Sequence, residues 1–260
     1  MTQVLRLRPL LTATHRYDKS LSTRNRGHGE IIQAPILAYL IETTNGRILF
    51  DVGCDYAKIA DPIRRAQHYD PKTFAFGAPE MHEPQRLPHH LAQLGLTPSG
   101  VDVVFLSHLH FDHAGGLCDV CGTEVHVQQE EFVAAHSGVD TAYFPADFAG
   151  DYPWKIMHGE YDLVPGVRAI STPGHTAGHM SLWIELPKGA PILLCGDAAD
   201  LTENLDKEIA PGLCWHDRED LALESIRKLK RLGDEEHAEL WPNHDMAFYR
   251  TLKQFPKFHE

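Results

Sequence analysis

The chain has 260 residues, 43% hydrophobic and 23% charged, in one even stretch of composition, so residues 1–260 read as one domain able to bury a core without disulfide staples. A formal charge of −12 lacks the Lys and Arg surplus that tracking a phosphate backbone needs, which excludes nucleic acid and favours a small substrate. No apolar run approaches the roughly 18 residues that span a bilayer, and residues 1–11 alternate apolar side chains with Arg where a signal peptide would be continuously apolar, so no membrane partner and a cytoplasmic location are expected.

In chain order, short apolar runs ending in small or acidic residues come in two blocks. The first comprises residues 36–42, 47–52 and 101–107, the second residues 167–171, 180–185 and 191–195. They read as buried strands that deliver loops to one edge of a sheet. Residues 76–90, with three prolines, and 137–154, mixing Gly, Asp, Pro and aromatics, read as loops long enough to cover a site. Residues 218–232 have helical periodicity, with Asp217 as the expected cap and Glu224 and Lys228 as an expected i, i+4 pair on the exposed side. The pattern predicts an α/β or α+β layered fold without choosing a topology.

Cys54, Cys118, Cys121, Cys195 and Cys214 are odd in number and scattered, as free thiols in a reducing compartment would be. Cys118 and Cys121 lack the second pair of a zinc ribbon and the setting of a redox motif, and no chemistry is assigned to them.

The chemistry gathers after the run 101–107, in His108-Leu109-His110-Phe111-Asp112-His113-Ala114-Gly115-Gly116. Three imidazoles and a carboxylate within six residues are metal-binding groups. In extended backbone His108 and His110 point to the same side, and a turn after them brings Asp112 and His113 to a second position. A hydrolytic zinc needs about four ligands including a water, so four side chains are too few for two ions. Further ligands are expected from Thr172-Pro173-Gly174-His175, Cys195-Gly196-Asp197 and Asn243-His244-Asp245, each at a strand end or a Gly or Pro turn. Isolated histidines such as His15, His68, His237 and His259 are expected to be solvated or hydrogen-bonded instead.

The segment 108–113 resembles the His-x-His-x-Asp-His signature of the metallo-β-lactamase superfamily, and His175, Asp197 and His244 follow in that family's order. The phrases His-Leu-His-Phe-Asp-His-Ala-Gly-Gly, Val-Pro-Gly-Val and Thr-Pro-Gly-His-Thr-Ala-Gly-His are most similar to those of its N-acyl-homoserine lactonases, the quorum-quenching lactonases. The resemblance implies a four-layer αββα sandwich with two zinc ions at one edge of its sheets, and iron, cobalt or manganese suit the same ligands. It implies His108, His110 and His175 on the first metal, Asp112, His113 and His244 on the second, and Asp197 between them. It places Asp51 behind a ligand, and His179 in a supporting or structural role. The strand ends Ile48-Leu49-Phe50-Asp51 and Ile192-Leu193-Leu194-Cys195 fit two related halves.

The activity so implied is opening of a lactone ring by a metal-bridging hydroxide, with Asp112 shuttling the proton. One position departs from the family: Asp200 stands where these lactonases usually carry a tyrosine whose hydroxyl contacts the substrate. Asp200 is therefore a candidate catalytic residue that is protonated, or points away, or is replaced by another donor. Phe74, Phe76, Met81, Phe144, Phe148, Tyr152 and Trp154 suit an acyl chain or the core. A second reading, 4-pyridoxolactone, would want a cation such as Arg64, Arg65 or Arg86. A glyoxalase II-like thioester hydrolase shares the signature, but no basic cluster for glutathione follows His244. The lactone is the expected partner, and a homodimer is compatible with the chain.

Overall fold

The β-branched and apolar residues of the first fifty positions form a long antiparallel hairpin extended by a third strand. The structure, a computed structural model, describes residues 2–260; of the opening segment 1–11, Met1 lies outside the described residues. Strand β1 (Val4–Asp18) pairs with β2 (Ile31–Thr43), and β2 with β3 (Gly46–Phe50), all antiparallel. The sheet then continues in parallel through β4 (Val103–Phe105), β5 (Glu124–Gln128) and β6 (Trp154–Met157). A second sheet holds β7 (Tyr161–Val164), β8 (Val167–Ser171), β9 (Met180–Ile184), β10 (Ile192–Leu194) and β11 (Glu239–Trp241), in the order β11-β10-β9-β8-β7.

The two sheets repeat one pattern. In β1-β2-β3-β4 and again in β8-β9-β10-β11, two antiparallel pairings are followed by a parallel one. This is the relation of halves expected from the matching strand ends before Asp51 and Cys195. Its consequence is positional: the last residues of β3, β4, β8, β10 and β11 reach the same edge of the sandwich.

Between the sheets Leu7, Tyr39, Phe50 and Phe105 pack against Leu182, Ile184, Leu194 and Trp241. On the outer face of the first sheet Leu40, Leu49 and Val104 meet Leu87, Leu91 and Leu117; on that of the second, Ile170 and Leu193 meet Leu205, Ile226 and Leu229. Helices thus cover both outer faces, giving the four-layer αββα sandwich. Each such side chain contributes about 1.5–3 kcal/mol on burial. Among the described residues no helix is long and apolar enough to cross a membrane.

Three local expectations are corrected. The helix runs Glu219–Glu236, and Asp217 does not cap it: Arg218 holds the cap position without a side-chain bond, while Asp217 sits at φ +59° in the preceding turn and pairs with Arg24 at 3.1 Å. Lys228 turns from Glu224 toward the second sheet, donating to the Ser171 carbonyl at 2.6 Å and pairing with Glu160, because a carbonyl and a carboxylate together engage its ammonium where Glu224 would offer a carboxylate alone. The segment 76–90 is a loop only in part. From Leu87 it is helical (Leu87–Gln93), since Leu87 and Leu91 lie on one side and bury against the first sheet, with Pro88 tolerated in the first turn.

Candidate metal centre

Each predicted ligand segment starts where a strand stops. Residues 107–113 follow β4, residues 172–179 link β8 to β9, Asp197 follows β10 and His244 follows β11. The structure brings together all seven residues singled out in the sequence. His108, His110 and His175 offer ligand atoms within 4.8 Å of one another, and so do Asp112, His113 and His244. Asp197 lies between the groups. Its Oδ2 faces His108 Nε2 at 3.8 Å and His175 Nε2 at 3.5 Å, while its Oδ1 faces His113 Nε2 at 3.3 Å and His244 Nε2 at 3.2 Å.

The neighbours decide which nitrogen of each imidazole faces inward. His113 Nδ1 donates to Asp51 Oδ2 at 2.8 Å, and Ser107 Oγ donates to the same oxygen at 2.8 Å. With its proton so committed, Ser107 Oγ accepts from His108 Nδ1 at 2.9 Å. His244 Nδ1 donates to the Pro35 carbonyl at 2.8 Å, His175 Nδ1 to the Leu213 carbonyl at 3.2 Å, and His110 Nε2 to Asp140 Oδ2 at 3.0 Å. Every ring therefore spends one N–H on a fixed acceptor and turns the other nitrogen inward, where it can hold a metal or a proton. His110 Nδ1 meets His175 Nε2 at 3.1 Å, and the buried Nε2 atoms of His108 and His113 have no hydrogen-bond partner.

Acceptors converging on acceptors are costly to bury unless a cation or a proton sits among them. Without a cation, protons are shared out unequally. Burial opposes the charged form of His113 and His244, but Asp197 outweighs it, pushing His113 well up and His244 up to about 10. Burial and the neighbouring imidazoles hold His108 well down, and burial above all takes His175 down to about 4. The residues fit metal. Ligand atoms about 2.0–2.1 Å from a tetrahedral zinc lie roughly 3.3 Å apart, close to the spacings found here.

Asp51 supports His113 and the loop, as expected, accepting also from Ser107 N at 2.7 Å. His179 turns away from the donors: its Nε2 accepts from the Asp197 backbone N–H at 2.9 Å, and a Cβ at Gly196, whose φ is +56°, would come within 2.6 Å of that nitrogen.

Above the donors lies a cavity of about 310 Å³ whose apolar wall includes Leu21, Phe74, Phe76, Phe111 and Leu213. Of the acyl-chain candidates, Phe74 and Phe76 line it, whereas Met81, Phe144 and Phe148 are core, and Tyr152 and Trp154 pack against core. Arg64, Arg65 and Arg86 are not in the wall; Arg86 pairs with Asp119. Asp200 does line the cavity, buried, with Oδ1 unpartnered. Burial, then Asp197, pushes its carboxyl up. Sequence reasoning missed Asp140, the Pro35 and Leu213 carbonyls, Tyr17 and His15. His15, set aside as an isolated histidine, lines the cavity and bonds the Gly77 carbonyl at 3.0 Å; its signal lay in the alternation of β1.

Comparison with known proteins agrees with this geometry. Residues 32–244 match the family model of the metallo-beta-lactamase superfamily. An N-acyl homoserine lactonase of a Bacillus species is 36% identical over 232 residues, covering 88% of this chain and 89% of its own. A Bacillus thuringiensis lactonase mutant with N-decanoyl-L-homoserine bound at its active site superposes with a TM-score of 0.89 at 31% identity, covering all of both chains. An N-acyl homoserine lactone hydrolase with N-hexanoyl-L-homoserine at its catalytic metal centre superposes at 0.86 and 30% identity, again over both whole chains. With its two-sheet fold, its seven converging donors and this match, the chain belongs to the metallo-β-lactamase superfamily and, within it, to the family of the N-acyl homoserine lactonases.

Proposed function

We propose that this protein is a binuclear metal-dependent hydrolase that opens the ring of N-acyl-homoserine lactones. The observation that carries the reading is the set of five inward lone pairs and two carboxylates at the floor of a largely apolar cavity. His108, His110 and His175 would hold one ion and Asp112, His113 and His244 the other, with Asp197 between them. Zinc suits these donors, and iron, cobalt or manganese are compatible with them. When bound, two divalent ions against two carboxylates lower the pKa of water to give hydroxide near neutral pH and polarise a carbonyl.

The chain's own residues supply the rest. Asp112, the least buried of the seven, holds the proton in transit between the nucleophile and the ring oxygen that leaves. Asp200, kept neutral by burial beside Asp197, donates a hydrogen bond toward the substrate's carbonyl oxygen in place of the family's tyrosine. Phe74, Phe76, Phe111 and Leu213 take the acyl chain, at about 0.8 kcal/mol for each buried methylene. The wall carries no Lys or Arg among its described residues, which favours a neutral acyl tail over a pyridine acid. One domain spans the chain, as the core cluster shared by both sheets supports, and five free thiols suit the cytoplasm.

The test pairs elemental analysis with a pH-indicator assay on short-chain and long-chain homoserine lactones, 4-pyridoxolactone and a thioester. Two metals per chain and preference for the homoserine lactones are expected, with His110→Ala and Asp197→Ala each losing metal and activity together. One metal or none in freshly purified active protein, or a thioester preferred by an order of magnitude, would sink the reading.

A further inference from the structure

Glu131, on the helix Gln129–Ala135, is fully buried yet hydrogen-bonds none of the seven donor side chains. Its Oε1 accepts from Leu109 N at 2.9 Å and from the Tyr143 hydroxyl at 2.9 Å. Its Oε2 accepts from the Thr176 hydroxyl at 2.6 Å and from Gly178 N at 3.1 Å. Each donor sits beside a residue of the site. Leu109 lies between His108 and His110, Thr176 follows His175, and Gly178 precedes His179, which holds the Asp197 backbone. Tyr143 bridges to His110 and places its ring 4.7 Å from the His110 ring, in the segment that carries Asp140, the acceptor for His110 Nε2.

The approach is close: a Cβ at Gly178 would come within 2.3 Å of Glu131 N. On the other side of the centre His113 is held by Asp51, which through Ser107 also reaches His108, and His244 is held by the Pro35 carbonyl; Glu131 touches neither. We propose that Glu131 is a positioning residue for the first metal position, clamping the loops of His108, His110 and His175 through one carboxylate. The inference rests on the binuclear reading given above and adds a site-specific role to it.

Glutamine tests this with little change of shape. An amide offers one acceptor oxygen, so its NH2 must face either Leu109 N–H or Gly178 N–H, and that backbone donor loses its acceptor. Metal-free Glu131→Gln, titrated with zinc and with cobalt followed by its absorption, is expected to bind one ion about 10–100-fold more weakly than wild type and the other at most a few-fold more weakly, with activity returning at excess metal. A residue that only stabilised the fold would weaken both ions alike, and excess metal would not restore turnover. Thr176→Val, which removes a single donor, gives a smaller loss at the same ion and serves if the glutamine variant does not fold. Both ions bound as in wild type, or both weakened equally, in whichever variant folds, would overturn the proposal. Wild type binding fewer than two ions would overturn the binuclear reading itself, so the two failures are distinguishable.

Discussion

At the five inward-facing histidines the chemistry of the site is set by small acceptors behind the rings. An imidazole with one N–H donated outward can offer only its other nitrogen inward, which turns a cluster of titratable groups into a fixed set of donors. Asp200 follows the opposite logic, because nothing donates to its Oδ1 and its neighbour is a carboxylate. In the metal-free protein burial and Asp197 hold its carboxyl up to about 8, and the acid form is the one that donates. Asp200→Ala should therefore lower kcat by roughly 10–1000-fold with a smaller change in KM. Asp200→Asn and Asp200→Tyr keep a donor whatever the pH and should retain more of kcat than Asp200→Ala. Steady-state kinetics of the four proteins decide; an asparagine variant as slow as the alanine variant would remove Asp200 from this role.

At the scale of elements, the turn that carries the ligands is pressed against the turn after β3. Val52 N donates to the His113 carbonyl at 2.8 Å and Gly116 N to the Gly53 carbonyl at 2.9 Å. A Cβ at Gly116 would lie 2.1 Å from the Val52 carbonyl oxygen, backbone that cannot swing aside as a side chain end can. Gly116→Ala is expected to cost about 1–3 kcal/mol in urea unfolding of the metal-free protein. A midpoint equal to that of wild type would show that the two turns are not packed as described.

For the molecule as a whole, metal and protons compete for one set of lone pairs. Below pH 10 His244 carries a proton in the metal-free protein, and binding an ion at Nε2 must expel it. Zinc titrated into metal-free protein in weak buffer at pH 7 should release protons, and affinity should rise with pH until His244 is neutral near pH 10. Stability of the metal-free form follows the same sign: the His244 contribution is fully present below the ordinary histidine pKa of about 6.5 and is lost as pH rises through the folded value. Chelation should lower Tm, since an ion at a hundredfold excess over its Kd stabilises by about 2.7 kcal/mol. Calorimetry showing no proton release, or a Tm indifferent to chelator, would contradict a site whose lone pairs await a cation.

Some of this was legible in residues 36–42, 101–107 and 108–113 alone, because a buried strand must be apolar throughout and a metal loop must concentrate donors. Strands β1, β5, β6, β7 and β11 were not read. β1 interleaves Arg with apolar residues, Arg6 and Arg16 exposed but Arg8 buried in a pair with Glu42, so no clean alternation shows, and β11 is three residues long, too short for any period. The sequence by itself pointed to seven side chains, each after an apolar run or at a Gly or Pro turn, and these are the seven the structure gathers. Only the tertiary structure decided which nitrogen of each ring turns inward, that Asp200 faces the cavity, and that Glu131 joins three loops. Those depend on acceptors distant in the chain, Pro35 behind His244 across 209 positions and Asp51 behind His113 across 62, which come together only when the two sheets close on one another.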